Sequence, residues 1–192
     1  MSNIETKTNI LLSTLTTIMI LLMLAIAGLF IRMNQLQNNI VALLSSQGLG
    51  GQEIGLPVGS QAPDLTLTDV NGETITLRDF RGDWVLLGFS SITCPVCDTM
   101  YPHLRAFSES RDNLQIVLVS KGSTEENQEM VRQQGFLFPV LTLRDEDVEI
   151  VEEYQVPGTP FFYLIDQEGI IQSVGFVNTR EHLQQLVDGS TK

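Results

Sequence analysis

Cysteine is scarce in this chain of 192 residues: there are two, Cys94 and Cys97. A framework of structural disulfides is thereby excluded, and the fold must rest on buried apolar surface. Histidine is equally scarce, with only His103 and His182, which leaves few nitrogen ligands for a metal. Basic residues are outnumbered, 11 Lys and Arg against 23 Asp and Glu, for a net charge of −12. That balance excludes nucleic acid as a partner, because phosphate binding runs on Lys and Arg. There is no internal repeat and no low-complexity run.

Charge is missing altogether between Lys7 and Arg32. Within that gap Ile10 to Ile31 form an apolar stretch of 22 residues, long enough to span about 30 Å of hydrocarbon. A signal peptide has an apolar core of only about 7–15 residues before a small-residue cleavage site. Ala25-Ile26-Ala27 could pass for such a site, but apolar residues run on beyond it. The expectation is a short tail over 1–9 and a retained transmembrane helix over 10–31, lodged in the lipid bilayer. Lys7 and the amino terminus, set against Arg32, place the N-terminus inside and the rest of the chain outside the cytoplasm.

Leu36, Ile40, Leu43 and Leu44 keep helical spacing, which suits either an extension of the membrane helix or a plain stalk. Gly48-Leu49-Gly50-Gly51 through Gly59 reads as a flexible tether, so 32–57 is a stalk and linker and 58–190 the domain. Only Lys7, Arg32, Glu5 and Glu53 among the charged residues precede residue 58, so the domain carries the full −12.

The domain alternates strand and helix patterns. Leu65 to Thr68 and Thr74 to Leu77 flank Asn71-Gly72, a hairpin signal. Trp84 to Phe89 and Leu114 to Val119 read as buried strands, with Ser90 to Thr93 as a short polar turn. Ser123-Thr124-Glu125-Glu126 matches a capping box and opens a helix to about Gln134. Phe138 to Leu143 reads as a strand and Val148 to Tyr154 as a short helix. Phe161 to Ile165 and Ile170 to Gly175 form a second hairpin around Asp166-Gln167-Glu168-Gly169, and Thr179 to Val187 is a closing helix. Strands separated by helices imply a parallel core with antiparallel additions, an α/β layered domain.

Cys94-Pro95-Val96-Cys97 follows the first buried strand and opens a helix. Pro95 suits the first helical position, where its missing N–H would have no partner anyway. Cys94 then falls at the N-cap, where free backbone N–H groups and the helix dipole favour a thiolate. Cys97 lies one turn on, so the two sulfurs can close a disulfide. A metal reading fails on ligand count, because zinc needs two more ligands and His103 falls about 240° round the helix from Cys97. A purely structural disulfide is disfavoured because so short a loop adds little chain-entropy stabilisation.

Gly59-Ser60-Gln61-Ala62-Pro63-Asp64, the Cys94 to Cys97 motif and Val156-Pro157-Gly158-Thr159-Pro160 resemble the membrane-anchored, thioredoxin-like redoxins. The resemblance covers about residues 58 to 188, and Pro102 stands where thioredoxins kink the active-site helix. It implies a thioredoxin-like fold, a central mixed sheet flanked by helices, behind one N-terminal transmembrane helix. It also implies a redox-active Cys94–Cys97 disulfide and a cis Thr159–Pro160 loop that pairs with substrate backbone. No cofactor or metal is implied. The implied partners are client proteins with cysteines or disulfides and an upstream redox partner in the membrane. More narrowly, Thr93 to Cys97 and Gly175 to Leu183 are similar to the accessory redoxins of methylamine utilisation, a family implicated in making the disulfides of methylamine dehydrogenase.

The sequence also departs from that pattern. Thr93 replaces the common Trp before the first cysteine, and Asp98 replaces a basic residue after the second. Gly88 stands where thioredoxin has a buried carboxylate that serves the second cysteine. Gln115 stands where some tethered relatives place a Glu on the next strand. The proton acceptor for Cys97 is thus unassigned. Two rival readings remain. A peroxidase would need a Pro seven residues and a Thr or Ser three residues before Cys94, and the chain has Leu87 and Ser91. A non-enzymatic tether or chaperone would keep its role without either cysteine. Thiol–disulfide oxidoreductase chemistry on exported clients is the reading preferred here.

Overall fold

The computed structural model describes residues 54–111 and 113–189, together with helical Met19, Met23 and Arg32. The expected membrane helix over 10–31 and nearly all of the stalk lie outside the described residues. Among the described residues no helix is long and apolar enough to cross a membrane.

The domain is built on a five-stranded mixed sheet in the order β5-β4-β3-β6-β7. Its strands are β3 (Trp84–Ser91), β4 (Leu114–Lys121), β5 (Val140–Leu143), β6 (Phe161–Ile165) and β7 (Ile171–Phe176). β3 pairs in parallel with β4 and β4 with β5, while β6 runs antiparallel to both β3 and β7. The parallel pairs need crossovers, supplied by α1 (Pro95–Ser108) and α2 (Thr124–Gln134). The β6–β7 pair closes through the expected hairpin, where Asp166 Oδ1 accepts hydrogen bonds from the N–H groups of Glu168 and Ile170.

Alternation along the strands sorts the core into two layers. Leu86, Ile116, Leu118, Phe162 and Leu164 face α1, α2 and α4 (Arg180–Asp188). Val85, Leu87, Phe89, Val117, Val119, Phe161 and Tyr163 face the other way, toward Leu65, Leu67, Leu77 and Tyr154. That second layer is roofed by the hairpin β1 (Thr66–Thr68) and β2 (Thr74–Thr76), with α3 (Val148–Glu153) beside it.

Each sheet edge is met at one point by the segment that precedes β3, which shortens the run of open strand edge. Asp69 bridges to Leu141 on β5, and Gln61 bridges to Ile170 at the start of β7. The β1–β2 loop is organised by buried Asp69, whose carboxylate accepts from the N–H groups of Asn71 and Glu73. The α2 cap is the capping box expected from Ser123 and Glu126, and Gly135 ends the helix in the left-handed conformation (φ 67°).

Candidate active site

β3 delivers the chain to the dithiol. The strand runs two residues further than its apolar run, through Ser90 and Ser91, because both stay paired to Ser120 and Lys121 of β4. The turn is therefore only Ile92 and Thr93, held by the Thr93 N–H donating to Ser91 Oγ at 3.2 Å and the Cys94 N–H to the Ser91 carbonyl at 3.1 Å. Cys94 is the N-cap of α1 and Pro95 its first residue. Cys94 has extended backbone angles (φ −98°, ψ 104°), and its Sγ accepts from the Cys97 N–H at 3.1 Å. Once the disulfide is reduced, that N–H and the helix dipole favour a thiolate on Cys94.

The two cysteines are disulfide-bonded, with Cα atoms 5.3 Å apart. Their surroundings differ sharply. Cys97 is fully buried, whereas Cys94 is half-buried and is the sulfur a partner can reach. The Thr159–Pro160 peptide is cis, and the Thr159 carbonyl oxygen stands 3.6 Å from Cys94 Sγ. The structure thus brings together all four residues read as the site, Cys94, Cys97, Thr159 and Pro160. Around them lies an apolar rim, with Val96 exposed by 44% and Phe176 by 42%.

The two expected proton-acceptor positions resolve differently. An ideal Cβ on Gly88 would lie 2.2 Å from Cε1 of Phe162, so the ring already occupies the volume a side chain would need. Gln115 is corrected outright. It pairs with Val85 near the beginning of β4, at the end of the sheet remote from the dithiol, beside Phe138 and Pro139. α1 continues through Pro102, which lacks the N–H that would reach the Asp98 carbonyl. His103 and His182 are exposed, and His182 Nδ1 accepts from the Asn178 N–H. The acidic run after Arg144 is tied locally: Asp145 pairs with Lys121, and Glu146 and Asp147 with Arg144.

One group went unread in the sequence. Ser90 on β3, Tyr101 on α1, Ser120 on β4 and Asn127 on α2 are buried polar side chains. The available signal was a serine ending each of two otherwise apolar strands, since such residues are seldom fully buried.

The model of the AhpC/TSA family matches residues 58–174. The chain belongs to the AhpC/TSA family. It is 30% identical over 174 residues to the methylamine utilization protein MauD of Paracoccus versutus, covering 88% of this chain and 85% of that protein. It is 29% identical over 145 residues to the thiol-disulfide oxidoreductase ResA of Bacillus cereus, covering 73% and 83%. Among solved structures, the thioredoxin domain of a thiol-disulfide oxidoreductase from Bacteroides vulgatus superposes with a TM-score of 0.62 at 26% identity, over 71% of this chain and 99% of that one. The domain is a thioredoxin-like fold, and this redoxin is a thioredoxin-like thiol–disulfide oxidoreductase. Its clients are cysteine-containing proteins.

Proposed function

We propose that this redoxin is a membrane-tethered enzyme that exchanges disulfides with exported proteins, with Cys94 as the attacking and Cys97 as the resolving cysteine. The observation that carries the assignment is the contrast between the two sulfurs. Cys94 is reachable, capped by α1 and 3.6 Å from the Thr159 carbonyl, while Cys97 is fully buried. A client disulfide lying along the Thr159–Pro160 loop meets Cys94 first. The Cys94 thiolate attacks one client sulfur, and the other client sulfur leaves as a thiol after taking a proton. Cys97 then attacks Cys94, the ring disulfide closes, and the second client sulfur departs. Run backwards, the same steps oxidise a client dithiol.

Likeness to methylamine utilization proteins supports a client resembling a disulfide-rich methylamine dehydrogenase subunit, and the apolar stretch of residues 10–31 supports the tether. A membrane redox partner would reset the dithiol.

The test is covalent trapping. Cys97→Ser in the full-length protein should accumulate clients linked to Cys94 by disulfides that dithiothreitol releases. Cys94→Ser should trap few. Trapping through Cys97 instead would reverse the roles, and a variant with both cysteines replaced by Ser that kept the cellular role would point to a tether.

A further inference from the structure

The Thr159 carbonyl oxygen stands 3.6 Å from Cys94 Sγ, so a client cysteine joined to Cys94 lies against the cis Thr159–Pro160 loop. Gly158 is the next residue outward on that loop and has no side chain. An ideal Cβ there would stand 3.8 Å from Cε1 of Phe176, so the Phe176 ring borders bare loop backbone. The Val177 N–H donates to the Pro160 carbonyl at 3.3 Å and fastens the end of β7 to the same loop.

The ring is both oriented and open. Phe176 pairs in register with Phe161 of β6, with ring centroids 5.1 Å apart and planes at 74°. Phe161 is fully buried and holds its partner in place. Phe176 is exposed by 42%, and among the described residues every other aromatic side chain is buried or half-buried. A ring already fixed in place has little freedom left to lose on binding, which is why aromatic side chains anchor interfaces. Residues 156–160 and 171–178 carry no charge, so the partner this wall fits is apolar. An extended chain advances about 3.3 Å per residue. A client cysteine at Thr159 therefore brings the side chains one or two residues away to Gly158 and the ring.

We propose that Phe176 is a specificity-determining residue, which takes a large apolar side chain lying within two residues of the client cysteine. The inference rests on the dithiol reading above and deepens it. The chemistry is unchanged: the Cys94 thiolate attacks one sulfur of the client disulfide, and the other leaves as a thiol after taking a proton from water. Phe176 decides which disulfide is attacked, because covering the ring and the client side chain removes apolar surface from water.

The test uses reduced full-length protein and the disulfide-linked dimers of two short peptides. Each peptide has one central cysteine, and they differ only in carrying Leu or Ser at the two residues on either side of it. Dithiothreitol sets the intrinsic ratio of their reduction rates. The parent should favour the Leu peptide over that ratio by about tenfold, the scale of covering one large apolar side chain. Phe176→Ala should cut the preference at least about threefold while leaving the rate with 2-hydroxyethyl disulfide unchanged. Phe176→Gln keeps bulk without the apolar ring and should lose the preference too; it decides alone should Phe176→Ala fail to fold. A parent with no preference, a preference that survives both variants, or equal slowing with 2-hydroxyethyl disulfide would overturn the assignment. A parent that reduces neither the peptides nor 2-hydroxyethyl disulfide would sink the dithiol reading itself.

Discussion

At the scale of single residues, the site is defined as much by what is missing as by what is present. Gly88 is the clearest case. Its lack of a side chain lets β3 and β6 pair with the Phe162 ring lying over the Gly88 Cα. Adding one methyl there puts Cβ 2.2 Å from fully buried Phe162, which has nowhere free to move. Gly88→Ala should therefore destabilise the domain by about 1–3 kcal/mol, the usual cost of overpacking, measured by urea unfolding. A variant as stable as the parent would show that the ring can yield. The same clash means that Gly88→Asp should not restore a thioredoxin-like acid.

At the scale of elements, each helix start carries its own chemistry. α1 is capped by the sulfur of Cys94, one residue before Pro95 opens the helix, while α2 is capped by the hydroxyl of Ser123. Glu126 is held below the ordinary Glu range, first by the Ser123 backbone N–H and then by the Ser123 hydroxyl. A carboxyl depressed in the folded state contributes stability above its unfolded pKa and loses it as pH falls through the depressed value. Ser123→Ala keeps the backbone bond and loses the hydroxyl. Glu126 should then titrate higher than in the parent, though still below ordinary Glu, by NMR. The lost cap should cost about 1 kcal/mol of stability at neutral pH. An unmoved Glu126 titration would mean that the hydroxyl contributes nothing to the box.

At the scale of the whole molecule, the proposed tether raises the question of which side of a membrane the domain would face. Residues 10–31 carry no charge and are rich in Leu, Ile and Met, with Lys7 and the amino terminus on one flank and Arg32 on the other. The roughly 26 residues from Arg32 to Pro57 would give a flexible reach of roughly 25–30 Å, enough to meet clients near the membrane. Protease added to spheroplasts should then digest the redoxin domain without lysis. Protection until the membrane is broken would place the domain in the cytoplasm, where a thiol reductase role fits better.

Much of this redoxin was legible in its residue order. The capping box at Ser123, the Cys94 N-cap, the two hairpins and the alternation of strand and helix all appeared where local pattern placed them, because caps, turns and side-chain periodicity are decided within a few neighbours. The resemblance carried the cis bond at Thr159–Pro160, which lies 65 residues from Cys94 in the chain and meets it only in the fold. Strand ends were less legible. Ser90 and Ser91 look like a turn until pairing with β4 holds them in the sheet. Gln115 shows the same limit, since its place at the remote end of β4 is set by register against Val85. The sequence by itself determined the dithiol, its helix and the layered class of the fold. Only tertiary structure decided that Phe162 closes the carboxylate position, because which side chains share a buried volume depends on strand register and helix docking between distant segments.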